Sequence, residues 1–339
     1  MQTFLVDCDT GIDDALALLY LLGDPAVELC GITTVFGNTT AAGAARNSLR
    51  VLDVAGRRAS VPVVAGSELT LLGLEPERAA HVHGDDGLGG LARQTVSGLG
   101  EAGSEVATRC ADGSAASGGP PCAAAEHAAV FVNRVTTERP GEVHLLATGP
   151  LTNLALALAL DPGLVERVAS VTIMGGAVHA PGNVTSRAEA NIHKDPEAAR
   201  RVLSAPWPVT LVPLDATMGE VLTEDHRRDL LGSGTATGMF AAEILDQYFD
   251  FYVSVYGRRA AACHDPLAAA IATGAVRPTS QMTVAVEVDS GYGPARGATL
   301  CDTRGRYNDH PVATTARCTV VLETDGTFPD RLAARLSGR

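Results

Sequence analysis

Residues 3–22 read Thr3-Phe4-Leu5-Val6-Asp7-Cys8-Asp9-Thr10-Gly11-Ile12-Asp13-Asp14-Ala15-Leu16-Ala17-Leu18-Leu19-Tyr20-Leu21-Leu22. The apolar run at 3–6 reads as a buried strand and 12–22 as a helix, with an acidic turn between them. Asp7, Asp9, Asp13 and Asp14 put four carboxylates within eight residues. Asp7 and Asp9 share a strand face by alternation, whereas Asp13 and Asp14 fall in the first helical turn, where the dipole favours anions by about 0.3–1 kcal/mol. Helix capping accounts for any two of these residues but not for the set. In open α/β sheets ligands bind at the carboxyl ends of strands. Crowded carboxylates raise one another's pKa unless a cation stands between them, and oxygen-only ligands select a hard ion such as Ca²⁺ or Mg²⁺. The turn therefore reads as a metal site.

Outward from this turn, short apolar or β-branched runs alternate with longer Ala/Leu stretches of helical period, the pattern of a mostly parallel sheet with helices on both faces. Strands are expected at 29–35, 61–64, 143–147, 171–174 and 209–212, and helices at 41–54, 124–134, 152–160, 196–203, 238–256 and 266–273. Antiparallel additions are expected at 282–288 and 318–322, with a closing helix at 328–336. The Gly/Ala/Ser/Pro-rich stretch 97–121 has no apolar period and reads as a flexible insertion within a single α/β domain spanning 1–339, its sheet Rossmann-like.

The 339 residues carry 46% hydrophobic and 19% charged side chains, a globular balance. A net charge of −13 disfavours nucleic acid and anionic membranes as partners. The longest apolar runs, 15–22 and 154–160, are too short to span a bilayer. The start of the chain lacks a basic leader, so a cytoplasmic location is expected. The seven cysteines, Cys8, Cys30, Cys110, Cys122, Cys263, Cys301 and Cys318, show no C-x-x-C spacing and read as reduced thiols. Lys194 is the only lysine among many arginines, a pattern that looks like coding bias.

Two families place D-x-D at the end of the first strand. Haloacid-dehalogenase-type phosphatases need Thr or Val where this chain has Gly11, and a lysine or arginine for the phosphoryl group; Lys194 falls in a segment better explained otherwise. The turn Asp7-Cys8-Asp9-Thr10-Gly11-Ile12-Asp13-Asp14 matches every fixed position of D-x-D-x-G-x-D-D. Further along come Thr33-Thr34-Val35-Phe36-Gly37-Asn38, His83-Gly84 with Gly87, Thr148-Gly149-Pro150-Leu151-Thr152-Asn153, Met174-Gly175-Gly176 with Asn183, Glu189-Ala190-Asn191 and His264-Asp265-Pro266. These segments and their order resemble the nucleoside hydrolase family, of the inosine-uridine preferring type with an active-site histidine. The resemblance covers nearly the whole chain outside 97–121.

The resemblance implies hydrolysis of ribonucleosides to free base and ribose. Ca²⁺ would be bound by Asp9, Asp14, Asp265 and the backbone carbonyl of Thr148, with ribose hydroxyls and a water completing the shell. Asp9 would also act as general base toward that water, with Asp7 in support. Asp13, Asn38 and Asn191 would meet the ribose, Asn183 and Glu189 its 5′-hydroxyl, and the backbone at Met174 would line the sugar pocket. His264, beside the ligand Asp265, would be the general acid, an imidazole titrating near neutrality. His83, Tyr248 and Tyr252 are candidates for the base pocket; the i, i+4 spacing of the tyrosines suits core packing equally well. Ala190 replaces the aromatic residue of some relatives, which speaks against activation by stacking, and Trp207 reads as core. Relatives are usually dimers or tetramers. The alternatives are a D-x-D phosphatase and a non-catalytic ribose- or calcium-binding module.

Overall fold

β1 (Gln2–Cys8) lies inside a parallel sheet, and its side chains alternate between two hydrophobic layers. Phe4, Val6 and Cys8 face a layer built with the helices Ile12–Leu22, Ala41–Val54, Ala236–Tyr256, His264–Ala272 and Phe328–Leu336. Leu5 faces the other, built with Ala128–Glu138, Thr152–Leu160 and Pro196–Ser204. The computed structural model describes residues 1–91 and 126–339; the expected insertion at 97–121 lies outside the described residues, as do Cys110 and Cys122.

The strands that follow are β2 (Val27–Thr34), β3 (Val63–Ala65), β4 (Val143–Ala147), β5 (Val168–Met174), β6 (Val209–Val212), β7 (Val221–Thr223), β8 (Ala260–Ala262), β9 (Ser280–Val284), β10 (Val286–Val288), β11 (Thr299–Cys301) and β12 (Cys318–Glu323). Among the described residues, the main sheet runs β3-β2-β1-β4-β5-β6-β12-β9. The chain builds outward from β1 to β3 on one side, then returns and builds from β4 to β6 on the other. The switch point therefore lies between β1 and β4, where the carboxyl ends of two parallel strands diverge and leave a crevice. Asp9 follows β1 and Thr148 follows β4, so the acidic turn opens into that crevice.

The late strands bring the expected antiparallel pairings, β9 with β12 and β10 with β11, together with one parallel pairing that was not expected. β12 joins the main sheet parallel to β6, and only β9 runs antiparallel, against β12. β10 leaves the sheet to form a separate antiparallel ribbon with β11, and β7 with β8 forms another. A strand's direction depends on the path of the preceding connection, which residues 318–322 do not encode. Trp207 is buried as expected, its indole N–H donating to the Val202 carbonyl at 2.9 Å. Cys8, Cys30, Cys263, Cys301 and Cys318 are all free thiols.

Candidate active site

Two glycines let the acidic turn close. Gly11 precedes the helix Ile12–Leu22, its N–H donates to Asp14 Oδ2 at 2.8 Å, and a Cβ there would stand 2.6 Å from both Asn38 Nδ2 and His83 Nδ1. A Cβ on Gly37 would lie 1.8 Å from Asp9 Oδ2. With both side chains absent, Asn38 comes in between the aspartates. Its N–H donates to Asp9 Oδ2 at 2.8 Å, and its amide donates to Asp9 Oδ1 at 3.1 Å and Asp14 Oδ2 at 3.2 Å. Asn38, expected at the ribose, is thus first the clamp that holds two carboxylates apart.

The other acids arrive from separate elements. Asp14 Oδ1 accepts from the Thr148 hydroxyl at 2.8 Å, and the Thr148 carbonyl accepts from Asn191 Nδ2 at 2.9 Å. Asp265 comes from the first turn of His264–Ala272, which packs against Ile12–Leu22. Carboxylate oxygens of Asp13, Asp14 and Asp265 lie within 4.8 Å of one another, and all three residues are buried. Asp9 sits beside this trio, bound to Asn38 and 3.7 Å from Lys194 Nζ.

Lys194 compensates the charges here only in part. Burial, reinforced by Asp14, pushes Asp9 up to about 8. Burial and then Asp13 raise Asp14, and burial with Asp13, Asp14, Asp9 and Glu189 drives Asp265 well above the carboxylate range. Asp13 is raised by burial and by Asp9. Such a field attracts a cation, and a donor set made only of oxygens fits a hard divalent ion such as Ca²⁺. Asp7 is different. It shares the face of Leu5 and points beneath the sheet, where Oδ1 accepts from Thr33 Oγ1 at 2.7 Å and Asn153 Nδ2 at 2.8 Å. Its Oδ2 has no partner, and burial pushes the acid up to about 7.

A cleft of about 530 Å³ opens above the acids. Asp13, Asn38, His83, Thr148, Met174, Asn183, Glu189, Asn191, Tyr248, Tyr252, His264 and Asp265 all line it, so the residues expected at the ribose and the base do meet at one site. Several carry structural work as well. Glu189 caps the helix Ala190–Lys194, its carboxylate accepting from Asn191 N at 2.9 Å, Ile192 N at 3.2 Å and Gly176 N at 2.9 Å. Asn183 Oδ1 accepts from Ala190 N at 3.0 Å. His83 Nδ1 accepts from Ile12 N at 3.1 Å, and burial pushes the ring down to about 3. Tyr248 donates to Asp13 Oδ2 at 3.2 Å.

The sequence of the chain's relatives carries the reading further. The sequence model of the family described as inosine-uridine preferring nucleoside hydrolase matches residues 4–327. The chain belongs to this family. It is 36% identical over 311 residues to the inosine-uridine preferring nucleoside hydrolase of Crithidia fasciculata, covering 91% of this chain and 90% of that one. Among solved structures, a plant nucleoside hydrolase superposes with a TM-score of 0.85 at 29% identity, covering 100% of this chain and 99% of the other. The purine-preferring ribonucleoside hydrolase from Gardnerella vaginalis gives 0.82 at 30% identity, covering 99% of this chain and 98% of its own. The reaction class of this nucleoside hydrolase is N-ribohydrolysis, which displaces the phosphatase reading.

Two features of this nucleoside hydrolase differ from expectation. His264 does not titrate near neutrality: burial pushes it down to about 4, and both ring nitrogens meet hydroxyls, Thr217 Oγ1 at 2.8 Å and Tyr252 at 2.6 Å. Lys194 is no bystander, since it lines the cleft and pairs with Asp9. Lys194, set aside in the sequence as part of a segment better explained otherwise, stands beside Asp9, and Gly11 together with the family match decides against a phosphatase. The signal was a single lysine three residues after Asn191, on the same short helix.

Proposed function

We propose that this N-ribohydrolase works as a Ca²⁺-dependent enzyme with Asp9 as general base and His264 as general acid. The observation that carries the reading is the convergence of buried Asp13, Asp14 and Asp265 at the floor of a cleft whose wall holds Asn183, Glu189 and Asn191. Asp9, Asp14, Asp265 and the Thr148 carbonyl would hold the ion, with Asp13 close enough to take part. When bound, Ca²⁺ would acidify water and offset the charge of the acids.

The chain's own groups do the rest. The two donors of Asn38 fix the Asp9 carboxylate in one orientation, and a positioned base contributes about 10²–10⁴-fold. Asp13, Asn38 and Asn191 grip the ribose hydroxyls, while Asn183 and Glu189 take the 5′-hydroxyl beside the backbone of Met174. Glu189 already accepts three backbone N–H groups, so it meets that hydroxyl as a further acceptor. Positive charge develops on the sugar as the base departs, and the surrounding carboxylates stabilise it. His264 is mostly neutral at pH 7, so it gives the proton from its minor imidazolium form and returns to the neutral ring held by the Thr217 and Tyr252 hydroxyls. His83, Tyr248 and Tyr252 border the base.

The test is reducing-sugar release from a panel of purine and pyrimidine ribonucleosides, with and without EDTA. The expected result is release that EDTA abolishes and Ca²⁺ restores, and that Asp9→Asn lowers by about 10²–10⁴-fold without loss of fold. Undiminished turnover in EDTA would remove the metal from the reading. Tight riboside binding with no sugar released would leave a binding module in its place.

A further inference from the structure

Lys194 ends the five-residue helix that Glu189 caps, and its side chain turns inward. That side chain is only 10% exposed, and Nζ stands 3.7 Å from Asp9 Oδ2, whose residue is fully buried. The charge of Lys194 is felt by Asp9, Asp14 and Glu189, three acids of the same cleft. The hydrogen bonds on Asp13 and Asp14 come from neutral donors: Tyr248 and the Asp14 backbone on Asp13, and Thr148, Asn38 and the Gly11 backbone on Asp14. Among the described residues, Lys194 is the lysine or arginine whose ion pair reaches these carboxylates.

An ammonium carries three donors and no lone pair, so it can neutralise a carboxylate but never ligate a cation. It also raises the electrostatic potential wherever a divalent ion has to sit, and at a separation of a few ångström inside a protein that effect is far larger than in water. We propose that Lys194 is an internal counter-cation, competing with the divalent ion for Asp9 and so setting how tightly the site takes that ion. The proposal rests on the reading of the acids as a divalent-cation site. Its consequence is a metal held more loosely than the number of carboxylates suggests, with Asp9 shared between the ion and the chain's own positive charge.

Lys194→Met keeps the length of the stem and removes the charge, whereas Lys194→Arg keeps the charge. Ca²⁺ affinity is measured on the full chain by competition with a chelating dye, and melting temperature is recorded in EDTA and in excess Ca²⁺. Lys194→Met is expected to bind Ca²⁺ at least about tenfold more tightly than the parent, because one unit charge at this range is worth more than that factor. It should melt lower in EDTA, having lost its internal compensation, and gain more on addition of Ca²⁺. Lys194→Arg should stay within about threefold of the parent, a difference of well under 1 kcal/mol. Lys194→Gln carries the same expectation if the Met variant does not accumulate. Equal or weaker Ca²⁺ affinity in the charge-removed variants overturns the proposal and leaves the metal site standing. Absence of Ca²⁺ binding in parent and variants alike overturns both.

Discussion

At the scale of single residues, His264 carries the sharpest prediction. On the proposed reading its ring, hydrogen-bonded at both nitrogens, passes one proton from its imidazolium form to a base that leaves poorly. His264→Ala is therefore expected to lower kcat on inosine by about 10²–10⁴-fold, the usual value of a positioned acid. The same change should cost far less on a nitrophenyl riboside, whose leaving group needs no proton. Equal losses on the two substrates would reassign His264 to packing. At this scale the sequence was legible wherever a motif fixed the spacing: Asp9, Asp13, Asp14, Asn38, Asn191 and Asp265 all reach the site. It was silent on what each oxygen does between substrates. The caps formed by Glu189 and the clamp formed by Asn38 depend on backbone N–H groups brought near by folding, and no pattern of side chains records that. Lys194 escaped because a lone basic residue in the last turn of a helix ordinarily points to solvent.

At the scale of elements, the long helices were read to within a few residues because their apolar period survives over several turns; Ile12–Leu22, Ala41–Val54, Thr152–Leu160 and Phe328–Leu336 fall on the expected bounds. The short helices Ala80–His83, Ala190–Lys194 and Leu214–Thr217 show no period at all, being one turn each, yet all three lie at the cleft. Glu224–Gly232 was missed for another reason: it buries only Leu230, so it has almost no apolar stripe. One buried acid joins the late elements. Glu220 is fully buried between the helix Leu214–Thr217 and β7, and its carboxylate accepts from Gly326 N at 3.0 Å, Phe328 N at 3.2 Å and the Thr324 hydroxyl. Its carbonyl accepts from Cys263 N at 2.8 Å, next to His264. Glu220→Ala strands two backbone donors and a hydroxyl in the interior, at about 1–3 kcal/mol for each group left unpaired. A clear drop in the urea midpoint is expected, and an unchanged midpoint would show that water replaces the carboxylate without loss.

For the molecule as a whole, the acids at the switch point make stability depend on pH in an unusual direction. Burial lifts Asp7 to about 7 and Asp9 to about 8 in the folded chain, from the ordinary value of 3.8 that applies when it is unfolded. A raised folded-state pKa means that the native chain holds these protons more tightly, so their stabilisation is full below about pH 4 and is lost as pH climbs through 7 and 8. In EDTA the protein should accordingly melt several degrees lower at pH 8 than at pH 6, at roughly 1.4 kcal/mol per group and pH unit. Saturating Ca²⁺ should remove the part of that slope due to Asp9, since the ion would hold that carboxylate ionised, and leave the part due to Asp7. A higher melting point at pH 8 than at pH 6 in EDTA would contradict the burial of these charges.

The origin of the converging acids also bears on synthesis. Asp13 and Asp14 emerge first from the ribosome, whereas Asp265 follows β8, long after β1 to β6 can have paired. A nascent chain that has reached β6 already holds the strand ends of its crevice but lacks one wall and a third of its converging oxygens. On the proposed reading, a chain released before Asp265 lacks one of the three converging acids and the wall that carries His264, so the site is completed only late in translation.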